Sequence, residues 1–305
     1  MNIHFNCFLS MLDTAVLRYG KSALPYYLGH LGFYIIEPQV FTAADYDLEF
    51  DYMANLKVLK EQAGITVNYI EDIRDLDVAG RISENLKNGI QTGIVIDSYY
   101  VPWNRWQFSQ HINHYLLVTG IKEGKYQFID RFFGRESAEM DMGDVLPNVT
   151  SLVEFALSDP PAGETTLTSI HEILREAGQT LAKDHIMILE HFMEDYQKIR
   201  IEKQDISLTD AVENSSLVFS LSIVLGHRKL VLDILTLYGE SFHTDHFAAI
   251  CGILERLVSL WQVIVLFTTK CMLVADNKTI RGKVSDYMKQ ALSLENELII
   301  SLTEL

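Results

Sequence analysis

The sequence predicts an α+β protein in two parts, a mixed domain over residues 1–158 and an all-helical domain over residues 165–305. Three observations lead there. Short apolar runs bounded by turn residues recur at 93–100, 115–122, 125–130 and 151–157, the pattern of strands. Stretches with apolar residues at three- and four-residue steps precede them, so a helical layer is laid down first and an antiparallel sheet packs against it. Asp159-Pro160-Pro161-Ala162-Gly163-Glu164 then breaks every periodicity, and only helical spacing follows.

Each element has a local reason. From Cys7 to Tyr19 the apolar residues Phe8, Met11, Leu12, Ala15, Val16 and Tyr19 line one helix face, and Gly20 stops it. A short helix over 22–31 and a brief strand over 32–36, ended near Pro38, come next. Residues 52–63 read as a helix stopped by Gly64, 65–70 as a strand, and 76–87 as a helix closed by Asn88-Gly89. Pro102 ends the strand over 93–100. His114 opens the strand after it, and Glu123-Gly124-Lys125 turns the chain into a second strand that ends on Asp130. In the second half, 168–204, 209–238, 244–275 and 278–302 predict a bundle of four or five helices, interrupted locally at Gly226 and Asn277.

A chain of 305 residues, 48% hydrophobic and rich in Tyr and Phe, can bury a core in each half. Its formal charge of -16, with no Lys/Arg run to reverse it locally, opposes nucleic acid and anionic lipid as partners. The first residues lack the basic start and apolar run of a signal peptide, and the longest apolar run, 257–269, is shorter than a membrane span. The expected setting is cytoplasmic, away from the membrane. Cys7, Cys251 and Cys271 make neither a disulfide framework nor a metal-ligand spacing. No glycine-rich phosphate or dinucleotide loop occurs, so no cofactor is expected, and His111-x-x-His114 lacks the further ligands a metal site needs.

The chemistry-bearing residues are Cys7, His114 and Asp130. A thiol attacks carbonyl carbon as the thiolate, and the first turn of a helix favours negative charge there through its free N–H groups and dipole. Cys7 opens the first predicted helix. If 115–122 and 125–130 pair as a hairpin, Asp130 returns beside His114, giving a base whose ring a carboxylate orients.

His114-Tyr115-Leu116-Leu117-Val118 followed by Ile129-Asp130 resembles the papain-like cysteine peptidase fold, and in particular the double-glycine leader peptidases. Val95-Ile96-Asp97-Ser98-Tyr99-Tyr100-Val101-Pro102-Trp103, then His111-x-x-His114 and Val118-Thr119-Gly120, is similar to the N-terminal domain of the butirosin biosynthesis protein H family. The resemblance covers residues 5–157. It implies a papain-like domain with a helical partner domain, in which Cys7 is the nucleophile, His114 the base and acid, and Asp130 the orienting group. It also implies natural-product chemistry, with an acyl or peptidyl group taken from the phosphopantetheine thioester of a carrier protein and passed to a small-molecule or peptidyl amine or hydroxyl, or closed into a ring. Two positions depart from the pattern. Asn6 stands where that family often has His, and Met1 stands six residues before the cysteine, where the leader peptidases place an oxyanion-binding Gln. The oxyanion hole therefore falls to Asn6, Asn2 or the backbone N–H of Cys7.

Around this centre, Asp97 is either a hydrogen-bonding group for the loop over 99–110 or a residue of the site. Tyr99 and Tyr100 are placed to contact substrate or support the site, and Trp103 and Trp106 either to cover the cleft or to pack in the core. His111 competes with His114 for the base, and its loop position suits substrate contact or hinge packing. In the helical half, Thr244 or Asp245 is expected to cap the next helix, and His227-Arg228-Lys229 to form a solvated basic turn. Two rival readings stand beside acyl transfer, a peptidase or amidase using the same three residues and an inactive binding or scaffold module.

Overall fold

The computed structural model describes residues 6–36, 42, 46–105, 107–108, 111–158, 165–200, 215–242, 245–274 and 278–305. Among these residues, those within 6–26 and 52–165 form a mixed α+β unit and those within 27–51 and 166–305 a second unit. The chain passes between units at the break the sequence marks near 158–165. Residues 27–51, expected with the sheet, instead group with the helices.

In the mixed unit, α1 (Cys7–Arg18) begins on an Asn6 cap whose side chain accepts the N–H of Leu9. It buries Leu9, Leu12, Ala15 and Val16, the apolar face the spacing predicts, and packs against β5 of the sheet. That sheet holds six antiparallel strands in the order β3 (Ile65–Ile70), β8 (Val149–Leu157), β4 (Gln91–Asp97), β5 (Asn113–Lys122), β6 (Lys125–Asp130) and β7 (Arg135–Asp141). A short helix α2 (Leu24–Tyr27) follows α1, and α4 (Val78–Lys87) leads into β4. β5 and β6 form the predicted hairpin, pairing Lys122 with Lys125 around a two-residue turn. Both turn residues have positive φ, 51° at Glu123 and 78° at Gly124, the backbone twist that two-residue hairpins need.

Two local readings differ from the structure. Residues 52–63 are not one helix: Asn55 has a φ of 60°, and only Leu56–Val58 (α3) is α-helical before a wider π turn over Leu59–Ala63. The left-handed residue stops helical hydrogen bonding from continuing upstream. β7 has no apolar alternation in sequence because it is an edge strand; of its residues only Met140 is buried, and the rest are polar or half-exposed, as edges tend to be. α5 (Met142–Val145) then leads into β8.

In the second unit, β1 (Tyr34–Ile36) and β2 (Asp47–Glu49) pair as a small antiparallel ribbon. Four helices are described, α6 (Leu167–Lys198), α7 (Ser216–Phe242), α8 (His246–Leu273) and α9 (Lys278–Thr303). The segment 27–51 is tied to them. Leu48 N–H donates to Ser220 Oγ at 3.1 Å, Arg228 Nη1 donates to the Leu31 carbonyl at 2.6 Å, and Phe50 stacks on His227 at 3.9 Å between ring centres. These contacts are long-range, and nothing in 27–51 taken alone announces them.

His227 and Arg228 are wholly buried inside α7, which runs unbroken through Gly226, so the solvated basic turn is corrected. Arg228 grips Glu295 through two hydrogen bonds at 2.9 and 3.0 Å, and Trp261 Nε1 donates to the same carboxylate at 3.1 Å. A buried carboxylate is tolerated only when it is paired and hydrogen-bonded in this way. Asp245 sits at the cap position of α8 without a side-chain capping bond, and Thr244 lies outside the described residues.

The apolar run expected over 257–269 belongs to a longer helix. Phe247–Leu273 is long and apolar enough to cross a membrane by length and composition, with a mean hydropathy of 1.8 in its most apolar window. Its exposed positions include Glu255, Arg256, Ser259, Gln262 and Lys270, with Leu266 exposed between the last two.

Acid should weaken this unit. Burial holds His30 down to about 4, against the pull of Asp51, and burial with the charges of His30 and Arg228 holds His227 well below the ordinary value of 6.5. Glu295 lies near 2: burial pushes it up, and the charge of Arg228, then the hydrogen bond and charge of His185, more than offset this. In the unfolded chain all three take up protons at higher pH, so stability is lost as pH falls from 6.5 through 4 and towards 2. Urea midpoints measured from pH 7.5 down to 4 should drop steadily, and a flat profile would contradict the buried network. Gly178 is a second probe, because a Cβ there would lie 2.7 Å from Leu302 Cβ and 3.1 Å from the α9 backbone. Gly178→Ala should cost about 1–3 kcal/mol in chemical denaturation, the range of overpacked cores.

Candidate active site

Three chain segments meet at one end of the sheet: the start of α1, the start of β5 and the end of β6. Pairing of β5 with β6 sets Leu117 opposite Ile129, so the residue that opens one strand lies near the residue that ends the other. His114 Nε2 and Asp130 Oδ2 are 2.9 Å apart, and both side chains are almost wholly buried. Asp130 is held on three sides. Its Oδ2 also accepts from Trp103 Nε1 at 2.7 Å, and its Oδ1 accepts from the Phe133 N–H at 3.3 Å.

A carboxylate only accepts hydrogen bonds, so Asp130 fixes a proton on His114 Nε2. Nδ1, left to face outward from that bond, is buried without a hydrogen bond of ordinary geometry. Burial alone would lower the pKa of His114, but the hydrogen bond to Asp130, the hydrogen bond to Cys7 and the negative charges of both push it up to about 9. Phe132 and Phe133 lie against the imidazole at 5.8 and 5.2 Å between ring centres.

Asn6, an oxyanion candidate, is occupied on both ends of its amide. Oδ1 caps α1, and Nδ2 donates to Tyr52 Oη at 3.0 Å. Ser10 N–H returns to the Asn6 carbonyl, and Leu9 N–H to the Asn6 side chain, so the helix leaves Cys7 and Phe8 N–H without intrahelical acceptors. Asn2, Met1 and Trp106 lie outside the described residues. Tyr52 had no signal in the sequence. It meets the site because its ring lies 5.5 Å from Phe8 and Tyr26 Oη donates to its carbonyl at 2.6 Å.

His111 is not beside Asp130. Its Nδ1 is 2.6 Å from Asp97 Oδ2, and its ring stacks on Tyr99 at 4.5 Å with 9° between planes. Asp97 is the last residue of β4 and also accepts the Tyr99 N–H at 3.0 Å. Trp103 packs on Phe128 besides holding Asp130, and Tyr100 lies edge-on to Tyr99. The sequence marked Trp103 as a residue near the cleft; its bond to Asp130 is legible only in three dimensions.

No protein-family model and no curated protein matches the chain. The roles therefore rest on geometry.

The raised value of His114 yields a direct check. A histidine resonance titrating near 9 should be seen by NMR, and Cys7→Ala and Asp130→Asn should each move it downward. An unmoved midpoint in both variants would separate these groups from His114. By the same linkage, the stabilisation His114 provides is complete below 6.5 and lost as pH rises through about 9.

Proposed function

We propose that the protein is a cysteine-dependent acyltransferase, in which Cys7 takes an acyl or peptidyl group from a thioester and hands it to an amine or hydroxyl. The observation that carries this reading is the buried His114–Asp130 bond at 2.9 Å. Cys7 stands in the first turn of α1, where the helix start offers free N–H groups. Thioester exchange swaps one thiol leaving group for another, which asks little of an oxyanion hole built from backbone N–H groups. The order of helix-start cysteine, strand-start histidine and strand-end aspartate supports a papain-like reading of the mixed unit. A cytoplasmic setting and a carrier protein bearing the donor thioester fit the resemblance and belong to the same proposal.

One observation favours a second reading. A His114 that keeps its proton to about pH 9 can give that proton to an amine leaving group, as a peptidase or amidase requires.

Intact mass after incubation with small acyl thioesters tests the proposal. A single acyl adduct should form, vanish in Cys7→Ala, and form about 10²–10⁴-fold more slowly in His114→Ala. Discharge faster with added amine than in buffer supports transfer, whereas rapid discharge indifferent to amine supports hydrolysis. No adduct from any thioester, carrier-bound ones included, would make the protein a binding or scaffold module.

A further inference from the structure

The strand end that carries the buried His114 carries a second histidine–aspartate pair. Ile96 lies opposite His114 in the β4–β5 register and Asp97 opposite Asn113. His111 is three residues before His114, so their Cα atoms are within about 11 Å, the reach of three extended residues. The two pairs differ in setting. His114 is buried, whereas the His111 side chain is 65% exposed.

Holding an exposed imidazole in one orientation has no evident structural return here. The loop between β4 and β5 is already tied by other bonds. Ser98 N–H donates to the Ile112 carbonyl at 2.8 Å, Ile112 N–H to Ser98 Oγ at 3.2 Å, and Phe108 N–H to the Tyr99 carbonyl at 3.1 Å. Asp97 completes the turn through Tyr99 N–H without help from His111. What the pair does fix is a tautomer. The Asp97 carboxylate accepts, so Nδ1 carries the proton. Nε2 of neutral His111 is then a bare base, with no hydrogen-bond partner among the described residues. An apolar wall is built around Tyr99, the ring on which His111 stacks. Phe108 is 68% exposed, lies edge-on to Tyr99 at 5.5 Å, and sits at a φ of 57°, a strained backbone for a bulky residue. Tyr100 and Ile112, each 40% exposed, extend the wall.

We infer that His111, oriented by Asp97 and Tyr99, is the acceptor-side base of the transfer reaction, serving a primary amine whose apolar or aromatic body lies on Phe108 and Tyr100. This rests on the acyltransferase reading of Cys7. The step balances without a further reagent. The amine nitrogen bonds to the carbonyl carbon of acyl-Cys7, the carbon–sulfur bond breaks with the electron pair leaving on sulfur, and the amine's surplus proton goes to His111 Nε2.

The test separates the two half-reactions. The protein is loaded with the butyryl thioester of N-acetylcysteamine, freed of excess donor, and mixed with phenethylamine or methylamine at equal free-base concentration while intact mass is followed. His111→Gln and Asp97→Asn should slow discharge to phenethylamine about 10²-fold, with loading changed no more than about twofold. Asp97→Asn keeps the side chain's shape but offers an N–H to His111, so the imidazole ¹⁵N shifts should report the opposite tautomer, which a purely structural role does not predict. Phe108→Ala should erase a preference for phenethylamine over methylamine. Discharge at wild-type rate in both dyad variants, or equal losses in loading and discharge, would overturn the inference and leave the role of Cys7 standing. Failure of the wild-type protein to load would overturn both.

Discussion

The carboxylate of Asp130 is the group on which the mixed unit's chemistry turns. It ends β6, accepts hydrogen bonds from His114, Trp103 and the Phe133 backbone, and starts the turn that sets Phe132 and Phe133 against the imidazole. An ionised oxygen without such donors would be strongly disfavoured inside a protein, so the three donors and the carboxylate stabilise one another's positions. From this follows the protonation of His114 Nε2 and the fixed setting of its ring. Trp103, on the loop after β4, is coupled to the site by the same oxygen that holds the histidine.

The two histidines near the sheet's end show how similar local chemistry takes different roles by placement. His114 binds its aspartate through Nε2 within the core, and His111 binds Asp97 through Nδ1 at the surface. Opposite ring nitrogens are thus committed, and opposite nitrogens remain for chemistry. The buried ring can share a proton with sulfur away from bulk water, while the exposed ring meets whatever arrives from solution.

Much of this was legible in the sequence where a short-range rule applied. The apolar face of α1, the Glu123-Gly124 turn and the ends of β5 and β6 are all local, and they bring His114 and Asp130 together once the hairpin is assumed. What could not be read depends on distant partners. β7 is too polar to show alternation because one side of it has no neighbouring strand. Residues 27–51 join the helical unit through Ser220, His227 and Arg228, far along the chain. Arg228 looked solvated because basic residues usually are, and its burial is accounted for by Glu295, 67 residues later, and the Leu31 carbonyl, 197 residues earlier. Tyr52 reached the site through Asn6 by the same kind of long-range contact.

The central claim is that Cys7 is an activated thiol and that Asp130, acting through His114, helps to make it one. Iodoacetamide labelling at pH 7, followed by peptide mass mapping, measures this against an internal reference, since burial and then nearby Glu255 raise the pKa of Cys251 despite a hydrogen bond to Thr236. Cys7 should label faster than Cys251, and Asp130→Asn should slow Cys7 while leaving Cys251 unchanged. Equal labelling of the two cysteines, indifferent to Asp130→Asn, would contradict the account.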